Sequence, residues 1–270
     1  MGFTGGELLI ACLKQHTVRN IFCVPGESYL GALDALFSQR EKIKVFNARH
    51  EAGAANMAEC YGKITGEPGV AFVTRGPGAC HASVGIHIAL QDSTPLILFV
   101  GNISRGVRDR EAFQEVDFKT FFTPISKWVA EIEDPKRIPE YINRAFNTAT
   151  EGRPGPVVLI IPEDMLTEAT DITPRPFSKV FRNKFPEAGL NKIKDELKFA
   201  KKPLLILGGP NWTDDSCKNI ENFATNNAIP VATSFRRQDL FNHKNENYVG
   251  SFGTSISPKL ITRVKESDLI

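Results

Sequence analysis

An α/β chain built on a doubly wound parallel sheet is what the sequence predicts, and three observations predict it. Short, continuously apolar runs recur, among them NIFCV (20–24), VAFVT (70–74), LILFVG (96–101) and VVLII (157–161). Segments with apolar residues at helical spacing separate these runs. Glycine and proline punctuate the changes, as at Pro25-Gly26 and Gly76-Pro77-Gly78. Strands that are apolar throughout, with helices between them, belong to parallel sheets covered on both faces.

Thr4-Gly5-Gly6-Glu7 reads as a capping box that opens a helix through about His16, with Leu8, Leu9, Ala11, Cys12 and Leu13 on its apolar side. The strand Asn20–Val24 stops at Pro25-Gly26. Ser28 or Glu27 is expected to cap the next helix, where Leu30, Leu33, Leu36 and Phe37 fall at helical spacing. A strand at 43–47, a helix at 51–65 and a turn at 66–69 follow. The strand at 70–74, the tight Gly76-Pro77-Gly78 turn, a helix at 79–90 and a strand at 96–101 continue the alternation. Residues 103–128 are less regular. A helix from about Pro135 to Thr150 carries Ile138, Ile142, Ala145, Phe146 and Ala149 on one stripe, and Gly152-Arg153-Pro154-Gly155-Pro156 leads into the strand Val157–Ile161.

From Pro162 to Pro186 the texture turns to Pro, Thr, Asp, Arg and Lys without a sustained period, as in a linker. The pattern then restarts: helix 189–200, strand 204–207, helix 214–227, strand 230–232 and helix 258–265. Ser267-Asp268-Leu269-Ile270 reads as the first residues of another buried strand. The expected organisation is a domain at 1–166, a linker at 167–188 and an incomplete, Rossmann-like α/β domain at 189–270.

At 270 residues the chain exceeds the usual single domain, and 41% hydrophobic with 24% charged residues suits a chain that buries a large core. A net charge of +2 gives no footprint for nucleic acid or an anionic membrane. No apolar run approaches the roughly 20 residues of a membrane helix, and the N-terminus lacks a signal peptide's features. The five cysteines are scattered without a CxxC pair, which argues against a disulfide framework or zinc site and for a reducing cytoplasm. Cys12 and Cys23, in apolar runs, read as small buried hydrophobes.

In open parallel sheets, ligands sit beyond the carboxyl ends of the strands, at helix N-termini. Pro25-Gly26-Glu27, His50-Glu51, Arg75-Gly76-Pro77-Gly78 and Gly101-Asn102 all fall at that edge. Glu51 stands out because Ala52, Gly53, Ala54, Ala55 and Ala58 follow it, so something must approach this helix closely. Taken alone, Glu51 also reads as a first-turn acid that complements the helix macrodipole. His50 reads as a structural histidine, with no Cys or Asp spaced to complete a triad. His81 and His87, six apart on one helix, lack metal-ligand spacing, and no metal ligands are assigned. Gly208-Gly209 lacks the later glycine of a dinucleotide fingerprint and reads as a plain turn.

RHEAGAANMAECYGKITGEPGV (49–70) followed by FVTRGPGACHASVGIHIALQDSTPLILFVG (72–101) resembles the N-terminal, pyrimidine-binding domain of thiamine diphosphate-dependent enzymes. AFQEVD (112–117), ISKW (125–128) and GRPGPVVLIIPEDM (152–165) extend the resemblance over residues 3–166 and point to the acetolactate synthase-like branch. The rest resembles, more loosely, the start of that family's central domain. The resemblance implies that Glu51, in the family's RHE motif, hydrogen-bonds the ring nitrogen of the cofactor's aminopyrimidine and favours loss of the thiazolium proton. A 2-oxo acid is then decarboxylated and joined to a second carbonyl compound, pyruvate in both places for an acetolactate synthase. Such chemistry wants a carboxylate in a largely dry pocket. Gly26 matches the turn near the reacting centre, Gly76, Pro77 and Gly78 the turn beside the pyrimidine, and Phe113 and Gln114 a substrate-facing pair. The small residues after Glu51 would let the pyrimidine lie against the helix start.

The sequence departs from the family's pattern in places. GPGATN reads GPGACH, with Cys80 and His81; AEGYG reads AECYG, with Cys60; and YPGG reads VPGE. Glu27 then either sets a second carboxylate by the site, disfavouring an anionic substrate, or points to solvent. The family's GDG motif, which with a downstream Asn holds Mg2+ and the diphosphate on a C-terminal domain, does not occur in these 270 residues. The resemblance therefore implies half a site, completed across at least a homodimer or by a separate polypeptide, the chain itself being expected to be a fragment. It leaves FAD open: GSFGTS (250–255) lies roughly where some members contact a flavin. Rival readings are a decarboxylase or acyl transferase acting on another 2-oxo acid or an aldehyde, and a non-catalytic binding or regulatory homologue.

Overall fold

The computed structural model describes residues 2–176 and 186–270. The chain divides into two compact units, Met1–Phe181 and Arg182–Ile270.

In the first unit the short strand β1 (Phe3–Thr4) runs into α1 (Gly5–Gln15) through the predicted capping box. Thr4 Oγ1 accepts the Glu7 N–H at 3.2 Å and Glu7 Oε2 accepts the Thr4 N–H at 2.8 Å. There follow β2 (Asn20–Cys23), α2 (Leu30–Ser38), β3 (Lys44–Asn47), α3 (Glu51–Thr65), β4 (Gly69–Val73), α4 (Pro77–Asp92) and β5 (Leu96–Asn102). Then come α5 (Phe118–Phe122), β6 (Trp128–Glu131), α6 (Ile138–Thr150), β7 (Pro156–Pro162), α7 (Glu163–Thr167) and β8 (Ala169–Thr170). Six strands form a parallel sheet in the order β3-β2-β4-β5-β7-β6.

The pleat divides the core in two. Val70, Phe72, Ile97, Phe99, Val157, Leu159 and Ile161 pack with buried residues of α1, α2 and α6. Their sequence neighbours Ala71, Val73, Leu96, Leu98, Val100, Val158 and Ile160 pack with those of α3, α4 and α5. The sheet is covered on both faces, as its uniformly apolar strands require. Cys12 and Cys23 are buried in the first layer, and burial pushes the Cys12 thiol up to about 12.

Several expectations change. The helix after β2 is not capped by Ser28 or Glu27; its N-cap is Tyr29, with no side-chain bond. Its buried face is Ala32, Ala35 and Leu36, while Leu30 and Phe37 are exposed. Of the small residues of α3, Ala54, Ala55 and Ala58 are buried against protein, while Gly53 at the helix start is exposed. A Cβ added at Gly85 of α4 would lie 2.5 Å from Ala55 Cβ, and one at Gly69 of β4 would lie 1.9 Å from Ala58 O. The alanines therefore let α4 and β4 close on α3. Trp128–Glu131, which begins at the last residue of the stretch read as irregular, forms the edge strand β6. β3, the other edge, is exposed along its whole length. Part of the expected linker carries regular structure, since β8 pairs antiparallel with β1. Its residues 177–185 lie outside the described residues.

The second unit contains α8 (Glu187–Phe199), β9 (Leu205–Leu207), α9 (Asp214–Asn226), β10 (Val231–Thr233), β11 (Tyr248–Ser251) and α10 (Pro258–Glu266). A parallel three-stranded sheet runs β11-β10-β9, and β11 was not foreseen. Leu269 makes an isolated parallel bridge with Pro203, and the Leu204 N–H donates to its carbonyl at 2.9 Å. Among the described residues no helix is long and apolar enough to cross a membrane.

Candidate functional site

The carboxyl ends of β2, β3, β4 and β5 converge, and three close approaches hold them together. A Cβ at Gly26 would lie 2.5 Å from Thr74 Cβ, and one at Gly78 2.8 Å from Thr74 Cγ2. At Gly101 it would lie 2.3 Å from Ser28 Oγ. Only glycine allows these chain segments to touch. Gly101 and Asn102 end the strand β5 and do not make a turn of their own. The Ser28 and Thr74 hydroxyls share a hydrogen bond of 2.7 Å, and Ser28 Oγ accepts the Arg75 N–H at 3.3 Å. Thr74 is thus the hub of the edge, a role with no motif to announce it.

Glu51 occupies the first turn of α3, behind an N-cap made by His50, whose Nδ1 accepts the Ala52 N–H at 3.2 Å. The Glu51 side chain is only 13% exposed. Its Oε2 lies 2.9 Å from Nδ1 of His81, and its Oε1 lies 3.4 Å from the point where a Cβ of Gly78 would stand. One carboxylate oxygen is engaged by histidine, while the other borders the glycine turn. Tyr29 is fully buried nearby; burial raises its pKa first, and the charge of Glu51 adds to the effect.

Gly76 has φ +57, and a Cβ there would lie 2.6 Å from Gln114 Cβ. The predicted Gln114 is therefore drawn onto the predicted glycine turn. Gln114 itself has φ +63, and Asp109 and Glu111 in the same loop are also left-handed, at +62 and +52. Non-glycine residues in this region store strain that the surroundings must hold. Phe113 presents its ring outward, 71% exposed, while its carbonyl accepts the Arg75 Nε–H at 3.1 Å.

Arg75 is the second unforeseen organiser. Its buried guanidinium donates to Glu27 Oε1 at 2.8 Å and to Glu163 Oε2 at 3.1 Å, and Glu163 Oε1 accepts from Ser104 Oγ at 2.8 Å. One cation thus ties the segments after β2, β5 and β7 to the end of β4 and to the Phe113 loop. Glu27 faces solvent and is paired with Arg75, a cation it shares with Glu163. A GPG turn next to an arginine could have suggested such a hub; its three partners lie too far along the chain to be read.

His81 takes its place by the way α4 starts. Pro77 and Gly78 turn the helix so that its first turns run beside those of α3, where the His81 ring stacks on His50 with centroids 4.4 Å apart and planes 25° apart. His50, Glu51 and His81 bring their potential ligand atoms within 4.8 Å of one another. The pairing comes from two helices, and spacing along one could not reveal it.

The mostly buried Glu51 carboxylate is flanked by glycine turns at the strand ends. Comparison with known proteins identifies the family. The family model described as thiamine pyrophosphate enzyme, N-terminal TPP binding domain, matches residues 3–121, and that for the central domain of the same enzymes matches 190–270. An acetolactate synthase large subunit from Cyanidium caldarium is 34% identical over 277 residues, covering 99% of this chain and 47% of the relative. A mitochondrial acetolactate synthase from Schizosaccharomyces pombe is 31% identical over 283 residues, covering 100% and 42%. The large subunit from Corynebacterium glutamicum is 30% identical over 271 residues, covering 99% and 43%. The chain spans less than half the length of these relatives. Its two matched domains, in the family's order, and these relatives place the chain in the thiamine pyrophosphate-dependent enzyme family, on the acetolactate synthase-like side.

Proposed function

We propose that this chain supplies the pyrimidine half of an active site that decarboxylates a 2-oxo acid and ligates the product to a second carbonyl compound, as acetolactate synthases do with pyruvate. The observation that carries this reading is the Glu51 carboxylate, mostly buried and with one oxygen facing the Gly78 turn. Thiamine diphosphate, when bound, supplies a carbon nucleophile and an electron sink. Glu51 would hold a proton at the pyrimidine ring nitrogen. Gly26, Gly76, Pro77 and Gly78 would let backbone lie against the ring, and Gln114 and Phe113 would face the substrate. Burial of Glu51 strengthens its hydrogen bond and keeps bulk water from competing for it. Pairing with Arg75 and exposure to solvent weaken the Coulombic objection that Glu27 raises to an anionic 2-oxo acid.

The reading extends to parts the chain does not itself hold. Mg2+ and the diphosphate would bind a GDG-bearing segment from a second subunit of at least a homodimer, or from another polypeptide; FAD stays open, with the central domain as its place if it binds. The proposed boundaries are a pyrimidine-binding domain at 1–166, a linker at 167–188 and a central domain at 189–270. A cytoplasmic location is supported by the five free cysteines, and cell fractionation would test it.

The decisive experiment follows hydrogen–deuterium exchange at the reactive thiazolium carbon in the complete enzyme. Glu51→Gln should keep the circular dichroism of the fold and slow exchange by roughly 10²- to 10⁴-fold. Unchanged exchange would remove Glu51 from the mechanism. Release of free aldehyde instead of acetolactate from pyruvate would favour a decarboxylase.

A further inference from the structure

His50, Glu51 and His81 form a cluster with features that the cofactor role of Glu51 does not require. Two imidazoles and one carboxylate, from the start of α3 and the second turn of α4, place their ligand atoms within 4.8 Å of one another. Around a tetrahedral zinc ion with bonds of about 2.0–2.2 Å, ligand atoms stand about 3.4 Å apart. The His81 Nδ1 to Glu51 Oε2 distance of 2.9 Å is already close to that spacing, so small side-chain rotations would complete it. Two nitrogens and one oxygen suit a borderline ion such as Zn2+, with water in the fourth position, and do not suit Mg2+ or Ca2+, which take oxygen ligands. The His81 side chain is 49% exposed, which leaves the cluster open to solvent.

We infer that His50, Glu51 and His81 constitute a binding site for a zinc-class divalent ion, and that ion and cofactor compete for the Glu51 carboxylate. The competition half of this inference rests on the role proposed above for Glu51; the ion site does not. Binding also has a cost that distinguishes this site from a structural staple. A neutral imidazole has one bare nitrogen, and in His50 that nitrogen accepts the Ala52 N–H. An ion held by His50 must displace this cap, so the first turn of α3 registers occupancy, and the bond between His81 and Glu51 is exchanged as well.

The test is calorimetric titration of Zn2+ into the chain without cofactor, with the Ala52 amide followed by NMR. Exposed Cys60 and Cys80 are the competing soft ligands, so the titration is repeated with both changed to serine. One ion per chain should bind in both backgrounds and move the Ala52 amide signal, while Mg2+ should give no heat. His81→Asn and Glu51→Gln should each weaken zinc at least about tenfold. His50→Asn should do the same while retaining a good N-cap side chain. No binding, binding lost with the thiols, or binding indifferent to His50→Asn and His81→Asn would each overturn the site. In the complete enzyme, thiamine diphosphate should raise the apparent zinc Kd in proportion to its concentration. If zinc still binds through these residues but the cofactor does not compete, the ion site stands and the cofactor role of Glu51 falls.

Discussion

The two units share one βα alternation and differ in how far it is enclosed. In the first, β5 and β7 are seven residues each and wholly buried, with helices on both faces. In the second, the strands are three or four residues long, α8 buries no residue, and α9 and α10 bury one each. Hydrophobic stabilisation scales with apolar area removed from water, so the same alternation yields a large core in one unit and a small one in the other. The lesson concerns placement. The buried cation Arg75 sits on the unit with the large core, whereas left-handed non-glycine residues occur in both, among them Asp109, Glu111 and Gln114 in the first and Asn211, Ala228 and Arg236 in the second.

Core truncation should expose the contrast most strongly. Phe72→Ala, which removes a fully buried ring stacked on Phe99 at 4.5 Å, should cost the first unit about 3–5 kcal/mol. In urea this should appear as an earlier transition for that unit with the second unit's transition unmoved. A common shift of both would mean that the units do not unfold separately, and the contrast would lose its basis.

A smaller effect depends on pH. His16 stacks on Phe146 at 4.2 Å, and burial lowers its pKa from 6.5 to about 4. The folded state then keeps His16 neutral where the unfolded chain takes a proton. Stability should be constant above about pH 6.5 and fall as pH drops toward 4, by about 2 kcal/mol after allowance for screening. His16→Leu should flatten this limb of the first unit's urea midpoint between pH 7 and 4.5; an unchanged slope would assign it to other groups. The smallest effect is expected at Phe199, 82% exposed at the end of α8, where Phe199→Ser should stay within about 0.5 kcal/mol. A larger loss would show that α8 has an apolar contact of its own.

What could be read from the residues ahead of the structure was local. The segment from Glu51 to Gly66 was legible because an acidic residue opens it and a glycine turn closes it, and Gly66 takes φ +71 in the structure. The buried strands were legible as uninterrupted apolar runs. Trp128–Glu131 was not, since an edge strand of four residues ending in glutamate has neither length nor period. Leu30 and Phe37 misled because helical spacing shows a stripe without showing whether anything covers it. At the site, Glu51, Gly26, Gly76 and Gly78 were visible as turn chemistry, and structure brings Gln114 to Gly76 as well. Thr74, Arg75 and the His50–His81 stack were hidden because their partners are brought close only by the closure of the sheet.

The link between Arg75 and the Phe113 carbonyl separates two tasks that a protein often gives to a single side chain. The guanidinium holds the main chain of the loop, while the ring is left unanchored and outward. Place is secured by the backbone and character by the side chain. Replacing the ring with a smaller, larger or more polar group would therefore alter what is met at this position without relocating the loop. Arg75 is the fixed pivot of this arrangement, and position 113 is free to change at little structural expense.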